Sequence, residues 1–390
     1  MKVFLFSLSF FLYAIPKNLK AQALDSTEHL PSNWGHHWPR KGKLTLHGYL
    51  DFIYAAGFHD PNRSSTIDFG RRQYTSSPLF SDKFTLPYAY LGATYEINRL
   101  TLRLALHSGD IVESLYAQEQ ESMRMVREAS INYQFTSRFS VEAGVFPSLY
   151  GFEIFLSKEN LHATRAYIAD FAPDYESGVR FKYQVTDHWS ARLMVLNGWQ
   201  EIKDSNGKKA LGLLAQYDNR INQFFNWGIY LGDVREIGES VSRYRMYHNI
   251  FWKYVHGKWT YVPMLDLAYQ QQSDVDQKSL FMIAPAFSIR YSFNDDWAVA
   301  SRWDMVNDPK NMIPELNGKL VTPSLINASN NPSGWQSNSV TLTVERAFSD
   351  NFKIRAESRY AINEDAVFID GPDRLVDYDG YVLLSMAANF

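Results

Sequence analysis

The sequence predicts an all-β fold: a transmembrane, antiparallel, up-and-down β-barrel of about 16 strands, with short periplasmic turns and long extracellular loops. Three observations predict it. Apolar and polar residues alternate in runs of roughly nine to twelve, the length a tilted strand needs to cross a bilayer. Short and long connections alternate along the chain. The last ten residues, Tyr381 to Phe390, place Val382, Leu384, Met386, Ala388 and Phe390 on one parity and stop on an aromatic.

The amino terminus reads as an export signal over residues 1–23. Lys2 precedes an apolar run from Val3 to Ile15, and Ala21-Gln22-Ala23 supplies small residues for cleavage. The run is too short to span a bilayer, and Pro16 with Lys17 ends it. Residues 24–42 then form a short periplasmic extension, and residues 43–390 the outer-membrane barrel. The chain has no Cys, which excludes a lipid-anchored Cys, disulfides and thiol chemistry. Losing Lys2, Lys17 and Lys20 moves the formal charge from −3 to −6. An acidic chain of this kind is not a nucleic-acid binder. Aromatics are 15% of residues, with 24 Tyr and 26 Phe. Mean hydropathy is −0.32, so the chain is apolar only in patches.

Each strand follows from its alternation. Leu44, Leu46, Leu50, Phe52 and Tyr54 oppose Thr45, His47, Tyr49 and Asp51. Leu100, Leu102, Leu104 and Leu106 oppose Thr101, Arg103 and His107. Ala129, Ile131, Tyr133 and Phe135 oppose Glu128, Ser130, Asn132 and Gln134. Phe352, Ile354, Ala356 and Tyr360 oppose Lys353, Arg355, Glu357 and Arg359. Short turns fall at 98–99, 136–138, 186–188, 218–223, 256–258, 294–296 and 349–351. Long links fall at 57–82, 109–123, 147–174, 197–208, 233–242, 271–278, 307–336 and 362–377. Phe135 and Phe139, Phe293 and Trp297, and Phe348 and Phe352 bracket short turns, while Trp189 and Trp259 follow two more. Aromatics recurring at one edge predict a girdle at one membrane interface. Soluble sandwiches and propellers fit less well, because their strands are shorter and propellers show a blade repeat.

The polar parity faces the lumen, because Lys or Arg facing lipid at mid-depth costs about 2–4 kcal/mol. The expected lining is Arg103, Glu128, Glu142, Arg180, Lys182, Arg192, Arg302, Lys353, Arg355 and Arg359. Arg245, Lys253, Arg290, Asp51, Glu96, Asp266, Asp304, Glu345 and Glu357 share that parity. The lining is slightly basic, which predicts a wide, water-filled channel for small hydrophilic solutes with a weak anion preference at most. Cross-strand pairing of the same charges would cancel that preference. The third long link carries Glu153, Lys158, Glu159, Arg165 and Asp170, and a loop so dense in charge and aromatics is a candidate constriction inside the pore. The alternative for the whole chain is a non-conducting outer-membrane barrel acting as receptor, adhesin or specific-solute binding protein.

The segment Gly144-Val145-Phe146-Pro147-Ser148-Leu149-Tyr150-Gly151-Phe152-Glu153 resembles the G-x-F-x-x-x-x-G-x-E segment of the OmpL-like β-barrel porins. Gly178-Val179-Arg180 and Asn197-Gly198-Trp199-Gln200 resemble later landmarks of that family. The resemblance covers about Leu44 to Phe390. It implies an outer-membrane porin of undefined solute, marks Gly151, Glu153, Asn197, Gly198 and Trp199, and carries no catalytic residues.

Enzyme and metal readings find little support in the residues. A lipid hydrolase needs Ser and His together on the outer wall. His248 has the outward parity, but the neighbouring strands offer it no serine. His36-His37 and Asp274-x-Asp276 lack the spacing of a metal site. No cofactor is expected. Expected partners are outer-membrane lipids, the barrel-assembly machinery reading Phe390 as an assembly signal, and a possible homotrimer by analogy of fold.

Overall fold

The computed structural model describes residues 42–59, 72, 75–235, 242–271, 279–310, 312, 334–370 and 374–390. The expected signal, His36-His37 and Asp274-x-Asp276 lie outside these residues, as does the expected extension apart from Gly42.

Sixteen antiparallel strands close into one barrel. They are β1 (Lys43–Gly57), β2 (Lys83–Thr85 and Ala89–Ile97), β3 (Leu100–Ser108), β4 (Val126–Gln134) and β5 (Phe139–Pro147). Next come β6 (Tyr175–Gln184), β7 (Trp189–Leu196), β8 (Ala210–Asp218), β9 (Gln223–Asp233), β10 (Tyr244–His256) and β11 (Trp259–Gln270). The last are β12 (Leu280–Ser292), β13 (Trp297–Asp308), β14 (Trp335–Ser349), β15 (Phe352–Asn363) and β16 (Tyr378–Asn389). Pro87 explains the gap in β2: it has no N–H for the ladder. The carbonyls of Leu86 and Pro87 instead accept from Asp110 and Ile111 at 3.0 and 3.1 Å, starting a short helix, Asp110–Leu115.

Closure follows from the ends of the chain. β16 pairs with β1 from Tyr49↔Asn389 to Gly57↔Tyr381. Phe390 extends this ladder, exchanging backbone hydrogen bonds with Gly48 at 3.1 and 3.2 Å. Among the described residues no barrel strand edge is then left unpaired in hydrocarbon, where an open edge could not survive. The faces agree with the alternation. Val382, Leu384 and Met386 are exposed, while Tyr381, Leu383, Ser385 and Ala387 are buried inside. The girdle is present at the short-turn end: Phe135 lies 5.7 Å from Phe139, Phe348 5.5 Å from Phe352, and Trp259 4.6 Å from Tyr291.

The core sits inside the barrel, at the long-loop end. Ile111, Val112, Leu115 and Tyr116 from the 109–123 link fold inward. They meet Phe155, Ile168 and Phe171 from the third long link, Trp199 from the fourth, and the inward tyrosines Tyr49, Tyr88, Tyr175, Tyr230 and Tyr247. Tyr116 stacks on Tyr175 at 4.0 Å, and Trp199 meets Tyr230 and Tyr247 edge-on at 4.9 and 5.0 Å. The sequence pattern did not predict this apolar filling. Loop residues have no period that tells an inward side chain from an outward one.

Candidate functional site

The lumen wall divides into two regions, set by where the third long link, residues 147–174, runs. Gly151 turns this segment at a φ of 87°, a left-handed conformation that suits glycine. Its N–H donates to Asn249 Oδ1 at 2.8 Å, and the Tyr150 hydroxyl donates to the Ile229 carbonyl at 2.8 Å. The segment then crosses the barrel interior to the β13–β16 wall.

There the inward arginines hold it by its backbone. Arg355, 1% exposed, uses all five N–H donors. Nε reaches Glu345 at 2.8 Å, Nη1 the carbonyls of Ser157 and His162 at 2.6 and 3.4 Å, and Nη2 those of Lys158 and Asn160 at 3.2 and 3.1 Å. Arg302, fully buried, reaches Asp304, Glu153, Thr341 Oγ1 and the carbonyls of Thr164 and Arg165 at 2.7 to 3.2 Å. Arg359 joins the Arg165 carbonyl and Asp304, both at 2.9 Å. Lys353 reaches the Lys158 carbonyl at 3.1 Å and Glu345 at 3.3 Å. Glu357 accepts the N–H groups of Ala163 and Thr164 at 2.6 and 3.2 Å.

The charged residues of the segment are themselves partnered. Glu153 accepts from the Ala166 N–H at 2.6 Å as well as from Arg302. Lys158 bonds Glu159 at 3.2 Å. Arg165 lies 3.6 Å from Asp170 and 2.7 Å from Asp174. Asp170 also accepts from Ser76. His162 is neutral for a definable reason. Burial, with Arg302, Arg355 and Arg359 beside it, holds its imidazole well below the ordinary value. The Thr343 hydroxyl donates to Glu357, so it must accept from His162 Nδ1–H at 2.8 Å. That leaves Nε2 bare, and it has no partner among the described residues.

The β3–β7 wall is different. Arg103, Glu128, Glu142, Arg180, Lys182 and Arg192 all line one cavity of about 400 Å³. Arg127, Asn132, Ser140, Pro147, Ser148 and Leu149 complete it. Glu142 accepts from Arg180 at 2.6 Å, Arg103 at 3.0 Å and Ser130 at 2.9 Å. Glu128 lies 3.9 Å from both Arg103 and Arg127. Five cations thus face two carboxylates. The ten expected lining residues therefore part six to four, with Arg302, Lys353, Arg355 and Arg359 against the third link.

Sequence reasoning missed Arg127. Its parity is outward, alongside Ala129 and Ile131. Opposite it, Ala105 pairs with Glu128 and Leu106 with Val126, so Arg127 is the extra residue of a β-bulge. The bulge turns it inward, where Nε donates to the Tyr88 hydroxyl at 2.9 Å. The available signal was an Arg on a lipid-facing parity, where it would be costly. Glu176 was also missed: it is buried on the inward face of β6, and neither carboxylate oxygen has a partner among the described residues. Among the described residues no group of three or more His, Asp or Glu gathers as a metal would require.

Comparison with known proteins agrees with this architecture. No curated protein matches the chain. Solved structures do, at identities that speak to fold alone. An anion-selective porin from Comamonas acidovorans has a TM-score of 0.59 at 11% identity, over 90% of this chain and 100% of that one. OmpF of Salmonella typhi, in complex with daunomycin, has 0.56 at 12%, over 90% and 98%. The trimer form of OmpT of Vibrio cholerae has 0.51 at 13%, over 90% and 99%. The family described as "Putative beta-barrel porin-2, OmpL-like" matches residues 43–390, the whole of the barrel, and the chain belongs to that outer-membrane family.

Proposed function

We propose that the barrel is a porin through which small hydrophilic solutes diffuse passively, with a weak preference for anions. The observation that carries this reading is the cavity on the β3–β7 wall, where five cations face two carboxylates. Fixed charge on a water-filled wall sets selectivity by raising the local concentration of the opposite ion. The β13–β16 wall contributes little to selectivity, because its cations are neutralised by carboxylates and covered by the third link. That link, with Glu153, Lys158, Glu159, Arg165 and Asp170, narrows the lumen and displaces the route toward β3–β7. The test is the reversal potential of the purified protein in a planar bilayer across a potassium chloride gradient. A shift toward chloride is expected. Cation preference would overturn the anion assignment, and absence of conductance would overturn the channel.

A second reading is a non-conducting barrel acting as receptor, adhesin or specific-solute binder. The apolar filling of the long-loop end favours it. The bilayer measurement separates the two. Neither reading invokes a cofactor or a catalytic step; among the described residues the Trp227 indole N–H lies 3.4 Å from His248 Nδ1.

The remaining assignments extend the same proposal. Residues 1–23 are a cleaved signal, residues 24–42 a periplasmic extension, and residues 43–390 the barrel. The outer face meets outer-membrane lipids. Phe390, 70% exposed at the seam, is the signal read by the barrel-assembly machinery. Deleting it should lower the amount assembled, and normal outer-membrane levels would refute that role. A homotrimer is proposed by analogy with the trimeric Vibrio cholerae neighbour. Detergent-solution mass together with conductance steps in threes tests it.

A further inference from the structure

Lys182 and Arg192 are Cα partners across β6 and β7, which places their β-carbons about 5 Å apart. Like charges set directly opposite are destabilising. Neighbouring cations elsewhere in the lumen share a carboxylate. Arg290, Lys353 and Arg355 share Glu345, Arg302 and Arg359 share Asp304, and Arg103 and Arg180 share Glu142. Lys182 and Arg192 have no such bridge among the described residues. Lys182 has no side-chain hydrogen bond or ion pair there, and Arg192 donates to the neutral amide of Gln216. The carboxylates of the third link are bound elsewhere: Glu153 to Arg302, Glu159 to Lys158, and Asp170 and Asp174 to Arg165. Ser140, the partner of Lys182 on β5, adds a hydroxyl to the same cavity.

We propose that Lys182 and Arg192 form a binding site for a small, doubly charged oxyanion of the inorganic phosphate kind. The guanidinium of Arg192 pairs two oxygens in its planar fork, and the Lys182 ammonium takes a third as a compact charge. The anion supplies the negative charge that the wall lacks between these two strands. Both side chains are partly exposed, and both lie four residues from the 186–188 turn, at the end of the lumen away from the apolar filling. This site deepens the channel reading and relies on it only for the ligand's route of entry.

Two measurements test it separately from that reading. Calorimetric titration of the detergent-solubilised protein with inorganic phosphate at pH 7.5, with sodium chloride as the matched-ionic-strength control, should show saturable binding of phosphate alone. Affinity should fall at least tenfold in Lys182→Gln and in Arg192→Gln, and Lys182→Arg should retain most of it. Retained heat-modifiable migration of each variant on a gel confirms that it is folded. In a bilayer, phosphate should reduce the chloride current of the natural protein at least twofold and leave that of the double Gln variant unchanged. Equal phosphate affinity in the folded variants and the natural protein would overturn the site. So would conductance in the natural protein with no effect of phosphate. Phosphate binding without any conductance would uphold the site and overturn the channel.

Discussion

Arg355 and Lys182 stand on the same inward parity, on opposite sides of one lumen. Arg355 directs five N–H donors at Glu345 and four loop carbonyls. Lys182 lines a cavity with no side-chain partner among the described residues. The chemistry of the two side chains is similar, and what differs is whether the chain returns to cover them. On the β13–β16 wall a basic side chain is structural: it satisfies the polar backbone of a segment that must cross the interior without a ladder of its own. Over the cavity of the β3–β7 wall, among the described residues, the third link contributes only Pro147, Ser148 and Leu149, and the charge stays available to solutes.

The comparison breaks first, and hardest, at Arg355. Replacing it with Met leaves Glu345 short of a partner and removes one donor from each of four loop carbonyls, of which, among the described residues, only those of Lys158 and Ser157 keep another, from Lys353 and the Asn160 N–H. A loss of about 3–5 kcal/mol is expected, as for other broken buried pairs. Arg355→Lys should recover little, because an ammonium cannot reproduce the fork. Thermal unfolding in detergent and protease cleavage within 148–174 check this. A variant with unchanged unfolding and an uncut loop would show that the wall does not hold the segment.

Glu142 stands between the two cases, since it is buried yet borders the cavity. Glu142→Gln weakens two charged hydrogen bonds, worth about 1.5–3 kcal/mol each at most. It also leaves one carboxylate against five cations, so anion preference should rise. A stability loss without a change in reversal potential would move Glu142 to the structural side of the comparison.

Charge reversal at the cavity should cost least in stability and most in selectivity. Lys182→Glu with Arg192→Glu should change unfolding by under about 1 kcal/mol, because the pair is partly exposed. The reversal potential should change sign. Unfolding on the scale of Arg355→Met would mean that these cations also serve the fold.

Acidification gives the smallest effect near neutrality. His162 is held neutral, with its folded value below its unfolded one. Its contribution is therefore complete above the unfolded value of about 6.5 and is lost as pH falls below it, because the unfolded chain then binds more protons. Seating of the loop should weaken below that point, seen as earlier unfolding and faster cleavage at 148–174. His162→Asn should flatten the dependence between about pH 6.5 and 5, and an unchanged slope in that variant would remove His162 from the account.

Much of this was legible in the sequence. The strand faces, the seven short turns and most of the charged residues of both walls could be read from alternation and turn residues. Arg127 was not, because a bulge shifts its parity without leaving a mark in its own strand. The apolar core of Ile111, Phe155, Phe171 and Trp199 was not, because these residues lie in links without a period.

The sequence by itself determined the barrel, its strand count, its two faces and the closing strand that ends at Phe390. A period of two is local information: each side chain's face follows from its neighbours in the chain. Only the tertiary structure decided which cations are covered and which are open. Arg302 meets Glu153 across 149 positions, and Arg355 meets Ser157 across 198. Such pairings depend on the path the third link takes once the wall has closed, and no alternation along the chain records that path.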